Sequence, residues 1–98
     1  MPMGATLVYA KKEVYNSGLV VEAVIWQLPQ PTAERPHGLK YRLYCGHSGK
    51  CIVRYDNETG KGDHVHYGRH EKGYCFSSLQ RLIQDFYNDV ERLAGDLL

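Results

Sequence analysis

Ninety-eight residues, 43% hydrophobic and 23% charged with a formal net charge of +1, suffice for one modest core and not for two. So even a charge balance excludes a protein that wraps nucleic acid by bulk electrostatics, and leaves phosphate contacts to a local basic patch. Three cysteines, Cys45, Cys51 and Cys75, contain no C-x-x-C pair, which excludes a zinc knuckle and a disulfide framework and predicts reduced thiols.

The opening M-P-M-G-A-T-L-V-Y-A has neither the charge nor the apolar run of a signal peptide. No later segment approaches the roughly 20 apolar residues that cross a bilayer. The chain reads as a single domain over residues 1–98, cytoplasmic and without membrane contact. Ala5–Tyr15 and Leu19–Leu28 are rich in Val, Leu, Ile, Tyr and Trp and flank Asn16-Ser17-Gly18, a turn of hairpin length. The second arm, L-V-V-E-A-V-I-W, is apolar almost throughout and predicts a central strand covered on both faces. Glu22 inside it must be ion-paired or face a site, because an unpaired buried charge costs too much.

Pro29, Pro31 and Pro36 then break the ladder over Pro29–Gly38, a connecting loop that carries Glu34, Arg35 and His37. From Leu39 the pattern alternates, with Leu39, Tyr41, Leu43 and Cys45 on one side and Lys40, Arg42 and Tyr44 on the other. Cys51, Val53 and Tyr55 alternate likewise with Ile52, Arg54 and Asp56. A five-residue loop, G-H-S-G-K, pairs Cys45 with Cys51, Leu43 with Val53 and Tyr41 with Tyr55, whereas a loop one residue shorter mixes the faces. In that register Arg42 lies beside Arg54 and Lys40 beside Asp56, and two adjacent arginines repel unless an anion covers them.

After a loop over Asn57–Asp63, His64–Tyr67 pairs back with His64 near Asp56 and His66 near Arg54. Tyr74–Phe76 adds a short edge strand. Ser77 with Gln80 three positions on reads as a capping box, and Leu79, Leu82, Ile83, Phe86, Val90, Leu93, Ala94 and Leu97 keep helical period, so a helix is expected from Ser77 to Ala94 with Gly95 as its stop. The fold class is α+β: an antiparallel meander of about five strands backed by one C-terminal helix.

His64 and His66 at i and i+2 project from one face with Cα atoms roughly 6.5 to 7 Å apart. Three chemistries suit them. The first is metal-independent cleavage of an RNA phosphodiester, with His64 and His66 moving protons beside Asp56, and Lys40, Arg42, Arg54 and Lys61 stabilising the phosphate; it calls for no cofactor and no metal. Gly60 and Gly62 flank Lys61 and let backbone amides approach an oxygen. The second is a metal site in which Asp56 or Asp63 joins the two imidazoles, against which stand the nearby cations Arg42, Arg54 and Lys61. The third is a non-enzymatic module whose basic face grips an acidic partner or blocks a nucleic-acid machine. Asn57, Glu58 and Thr59 also read as plain turn residues, and His47 and His70 as surface residues.

The order H-G-L-K-Y-R-L, then V-R-Y-D-N-E-T-G-K-G-D-H-V-H, then a Tyr-Cys-Phe-Ser step into an amphipathic helix, resembles the TumE family of toxins. The likeness covers most of the chain, including G-L-V-V-E-A-V-I-W-Q-L-P. It implies the toxin of a type II toxin-antitoxin system, encoded beside an antitoxin with a helix-turn-helix domain that neutralises it by direct binding. It supplies no catalytic roles, so those of His64, His66, Asp56 and the cations rest on the residues alone.

Overall fold

The computed structural model describes residues 4–98; the first three residues of the stretch read for a leader lie outside it. Six strands run in simple meander order, β1 (Thr6–Val14), β2 (Val20–Gln27), β3 (Leu39–His47), β4 (Lys50–Asp56), β5 (His64–Tyr67) and β6 (His70–Gly73), all neighbours antiparallel. One helix, α1 (Leu79–Ala94), lies across one face, and a 3₁₀ turn (Gly95–Leu97) ends the chain. The α+β meander with a C-terminal helix is therefore as the alternation implied, with six strands rather than about five. The sixth is not Tyr74–Phe76. A two-residue turn with Gly68 at φ 61° returns the chain so early that His70–Gly73 makes the edge strand. Among the described residues, no helix is long and apolar enough to cross a membrane.

Period-2 alternation sends Val21, Ala23, Ile25, Tyr41, Leu43, Cys45, Val53, Tyr55 and Val65 to the helix side, where Leu82, Phe86, Val90 and Ala94, spaced at i and i+4, pack onto them. Each such large apolar side chain contributes about 1.5 to 3 kcal/mol by leaving water. Helix α1 is capped by Ser78 rather than by the expected Ser77. Ser78 Oγ accepts from the Arg81 amide at 3.1 Å, which puts Arg81 at the third helical position and leaves Gln80 out of any capping box. Gly95 keeps a right-handed φ of −58°, so the chain tightens into the 3₁₀ turn, and the Ser17 hydroxyl donates to the Leu97 carbonyl at 2.6 Å.

Strand β2 departs from expectation. Only Val21, Ala23 and Ile25 are buried; Glu22, Val24 and Trp26 are half-buried on the face opposite α1. Among the described residues no helix or strand covers that face, so its apolar residues are surface rather than second-layer core.

The β3–β4 register also differs. His47 pairs with Lys50 around a two-residue Ser48-Gly49 turn, both residues at positive φ (52° and 74°), which suits the twist of a tight hairpin. Such a turn alone would oppose residues of unlike face. A bulge after Cys45 absorbs one residue of β4 and restores the match, giving Cys45 opposite Val53 and Leu43 opposite Tyr55. Gly46 is needed beside the bulge, because a Cβ there would meet the Tyr44 hydroxyl and would sit 2.9 Å from the Lys50 carbonyl oxygen.

Candidate active site

On the open face two cross-strand rows lie side by side. One runs Val24, Arg42, Asp56, His64; the other Glu22, Tyr44, Arg54, His66, Glu71. The expected neighbours His64–Asp56 and His66–Arg54 are realised. The expected Arg42–Arg54 and Lys40–Asp56 pairs are not: the shift of two residues places Asp56 opposite Arg42 and Tyr44 opposite Arg54. The two arginines are thus separated by a carboxylate, and no anion is needed to hold them together.

Asp56 is the hub, only 2% exposed. Its Oδ2 lies 2.9 Å from Arg54 Nε and its Oδ1 2.5 Å from His64 Nε2 and 3.7 Å from His66 Nε2. These are ion-pair distances without hydrogen-bond alignment: Arg54 Nε and Asp56 Oδ1 are buried and lack an aligned partner.

The two imidazoles have different neighbours. His64 Nδ1 lies 2.9 Å from the Gly62 carbonyl oxygen and its Nε2 faces Asp56, so both of its ring nitrogens face oxygen atoms. His66 Nε2 is 3.1 Å from Arg54 Nη2, which can only donate, so this nitrogen is an acceptor and the ring is neutral. Burial, and then the Arg54 charge, lower the His66 pKa below its ordinary value, outweighing the pull of Asp56 and Glu71. The ring centroids are 4.7 Å apart.

The loop between β4 and β5 is pinned from beneath. Asn57 is 1% exposed; its Oδ1 accepts from the Tyr41 amide at 3.0 Å and its Nδ2 donates to the Leu39 carbonyl at 2.8 Å, replacing the ladder bonds that β4 no longer supplies. Buried Arg35 donates from Nε (3.2 Å) and Nη2 (2.7 Å) to the Asn57 carbonyl, and Glu34 accepts from the Gly60 amide. The proline loop is therefore an anchor for the site rather than a plain connector. Asp63 accepts from the Tyr41 hydroxyl at 2.6 Å and sits 3.0 Å from His37 Nε2, on the helix side. His37 Nδ1 accepts from the Leu39 amide, so Nε2 carries the hydrogen and the neutral ring suffices. Asp63 is thereby committed away from His64 and His66, and Asp56 is the carboxylate that joins them.

Of the remaining cations, Arg42 is exposed, with its guanidinium 4.9 Å above the Tyr44 ring and 3.8 Å from Glu22, which also pairs with Lys12 at 4.0 Å. Glu22 is thus a rim ion-pair residue. Lys40 faces Trp26 across the ladder and lines a cleft beside the cluster. Lys61 is exposed in the loop, and among the described residues no ion pair or side-chain hydrogen bond joins it to the cluster. Glu71 was missed by sequence reasoning: its carboxylate lies 3.7 Å from each histidine ring, and the turn at Gly68 was the signal that places it there. The set Asp56, His64 and His66 also presents three ligand atoms within 4.8 Å of one another, the pattern of a two-histidine, one-carboxylate metal site. Arg54 competes directly with that use, because it already occupies His66 Nε2 and an oxygen of Asp56.

A protein-family model described as Toxin TumE matches residues 4–94. The chain belongs to the TumE family. No curated protein and no solved structure matches it. The TumE match spans every strand and the whole of α1, so the open-face cluster is part of the toxin fold rather than an appendage. A TumE toxin points to a cognate antitoxin as a partner.

Proposed function

We propose that this TumE chain is a metal-independent endoribonuclease, the toxin of a type II pair held in check by an antitoxin with a helix-turn-helix domain. The observation that supports it is the placement of two neighbouring histidines around one buried carboxylate, His64 facing oxygen atoms through both ring nitrogens and His66 facing an arginine donor. Neutral His66 takes the proton of a ribose 2′-hydroxyl through Nε2 as that oxygen bonds to the adjacent phosphorus. The bond from phosphorus to the 5′-oxygen breaks, and the proton shared by His64 and Asp56 passes to the leaving oxygen, leaving a 2′,3′-cyclic phosphate and a 5′-hydroxyl. Arg54 turns from His66 to the phosphate, which frees the base as substrate binds, and Arg42 supplies the second cation. Exposed Glu71 is the movable wall between His64 and solvent, since an incoming phosphate repels its carboxylate.

Expression of the wild type and of the His64→Ala/His66→Ala variant, followed by sequencing of RNA 5′ ends, tests this directly. New cuts bearing 5′-hydroxyls are expected only with the wild type, and cleavage by purified protein is expected to persist in chelator. The close approach of Asp56, His64 and His66 favours a second reading, a metal-dependent nuclease. Cleavage that stops in chelator and returns with zinc or manganese would establish it instead. A binding module is the outcome if charge reversal at Arg42 and Arg54 abolishes toxicity while both histidines are dispensable.

A further inference from the structure

Beside the cluster, on the same open face, a cleft of about 410 Å³ is walled by Val24 and Trp26 of β2, Lys40 and Arg42 of β3, and Glu58 and Thr59 of the β4–β5 loop. Its size falls in the range of small-molecule sites, about 300 to 1,000 Å³. We infer that this cleft is a guanine-recognition subsite for the nucleotide next to the cleaved phosphate, with Trp26 as the stacking wall and Glu58 as the reader of the base edge.

Several observations converge on a base. Trp26 is directly opposite Lys40 in the ladder and half-buried, so the indole is held rather than free; an aromatic face in a basic groove is how proteins seat an unpaired base. Lys40 and Glu58 have opposite charge and line one cleft, yet among the described residues neither has an ion-pair partner. A ligand that engages both would offer acceptors at one edge and donors at another. Guanine does: O6 and N7 accept from a lysine, while N1–H and the N2 amine together present a donor pair that one carboxylate accepts. Adenine lacks the adjacent donor pair, and a bare phosphate offers Glu58 only repulsion. Arg42 lines the cleft and also stands opposite Asp56, so a base in the cleft has its phosphate delivered toward the histidine cluster.

This inference rests on the nuclease reading for its position in an RNA chain, but it can be tested apart from it. Trp26 is the chain's single tryptophan, so its fluorescence reports the cleft directly. Wild type and the His64→Ala/His66→Ala variant are titrated with GMP, AMP, CMP and UMP, and wild type is assayed for cleavage of oligonucleotides carrying one guanosine. Saturable quenching by GMP in both proteins is expected, at concentrations at least tenfold below those needed for the other three. Glu58→Gln, a change at an exposed loop position, is expected to abolish that preference and to lower cleavage beside guanosine to the rate seen at other bases. No saturable quenching by any nucleotide, or an unchanged GMP preference in Glu58→Gln, overturns the subsite. Cleavage without guanosine bias alongside absent quenching leaves the nuclease standing and removes the subsite, whereas selective GMP quenching without cleavage removes the nuclease and leaves the subsite.

Discussion

Among the described residues, one carboxylate is buried on each side of the sheet, and the two are held by opposite means. Under the helix, Asp89 accepts from the Tyr55 and Tyr67 hydroxyls, both at 2.6 Å, and from Arg92 Nη2 at 2.8 Å. On the open face, Asp56 is held by Arg54, His64 and His66, with two buried atoms left out of alignment. Tyrosine hydroxyls do not change charge near neutral pH, so the Asp89 network is a fixed strut. Imidazoles do, and the proposed reaction asks the two beside Asp56 to move protons. Burial alone would raise the Asp89 pKa, yet the bonds from Tyr55, Tyr67 and Arg92 outweigh it and bring the net shift downward. On the nuclease reading, the sheet thus separates a structural polar network from the one assigned to the reaction.

The largest effect should come from breaking the reactive side alone. His66→Ala and His64→Ala are each expected to lower RNA cleavage by about 10² to 10⁴, the usual worth of a positioned acid or base. Asp89→Asn keeps the shape of the strut and should leave the cleavage rate within about twofold while lowering stability by roughly 1 to 3 kcal/mol. A rate loss in Asp89→Asn as large as in the histidine variants, at equal folded fraction, would erase the distinction between the faces.

Next in size is the stability difference between the two carboxylates. Asp56→Ala strands the half-buried Arg54 guanidinium and removes the carboxylate beside the buried His64 ring, and is expected to cost about 3 to 5 kcal/mol in urea unfolding. Asp89→Ala leaves two neutral hydroxyls and an exposed arginine, for which about 1 to 3 kcal/mol is expected. Equal losses would mean that the Arg54–Asp56–His64 group is held by packing rather than by charge.

Much of this division was legible in the sequence. Alternation from Leu39 to Tyr55 put Tyr41, Leu43, Val53 and Tyr55 with the core and Arg42, Arg54 and Asp56 opposite, because a two-residue period is a property of any strand. His64 and His66 followed from the same rule. The pairing of Arg42 with Asp56 was hidden because it depends on Ser48 taking a positive φ and on a bulge after Cys45, both settled by hairpin twist rather than by hydropathy. The open side of β2 was misread since Val20, Val24 and Trp26 look like core when the number of covering layers is unknown. Glu71 escaped for want of a hydrophobic pattern in H-E-K-G, a strand made by its turn alone. The Asn57 brace escaped because side-chain bonds to the backbone of the neighbouring strand β3, 16 and 18 residues away in sequence, leave no local signature.

The pH dependence should also divide by face. His66 is held neutral by the fold, with a pKa below its unfolded value of about 6.5. Its contribution to stability is therefore present above about 6.5 and lost as pH falls through the lower folded value, and cleavage should fall over the same window. Asp89 contributes only above its unfolded value of about 3.9 and fails as pH drops through its depressed folded value. Burial and the Asp89 contacts raise the Tyr55 pKa, so that contribution is present below about 10 and lost as pH rises. Urea midpoints measured across pH should accordingly slope just below neutrality in the wild type and flatten there in His66→Gln. A slope that survives in His66→Gln would assign the titration to another group.

The smallest effect belongs to Lys61, which tests how far the reactive face extends. Its side chain is exposed, its amide is tied only to the Glu58 carbonyl at 3.1 Å, and it stands clear of the ion pairs around Asp56. On the nuclease reading, a lysine so placed supplies an exposed charge for RNA binding and little geometry to the transition state. Lys61→Ala should change stability by no more than about 0.5 kcal/mol. It should weaken binding of single-stranded RNA alike across sequences and reduce the salt slope by about 0.7, the share of one phosphate contact, with kcat unchanged. If kcat instead falls tenfold, the loop closes over the substrate during the reaction, and the boundary drawn here at β4 and β5 has to move out to Gly60 and Gly62.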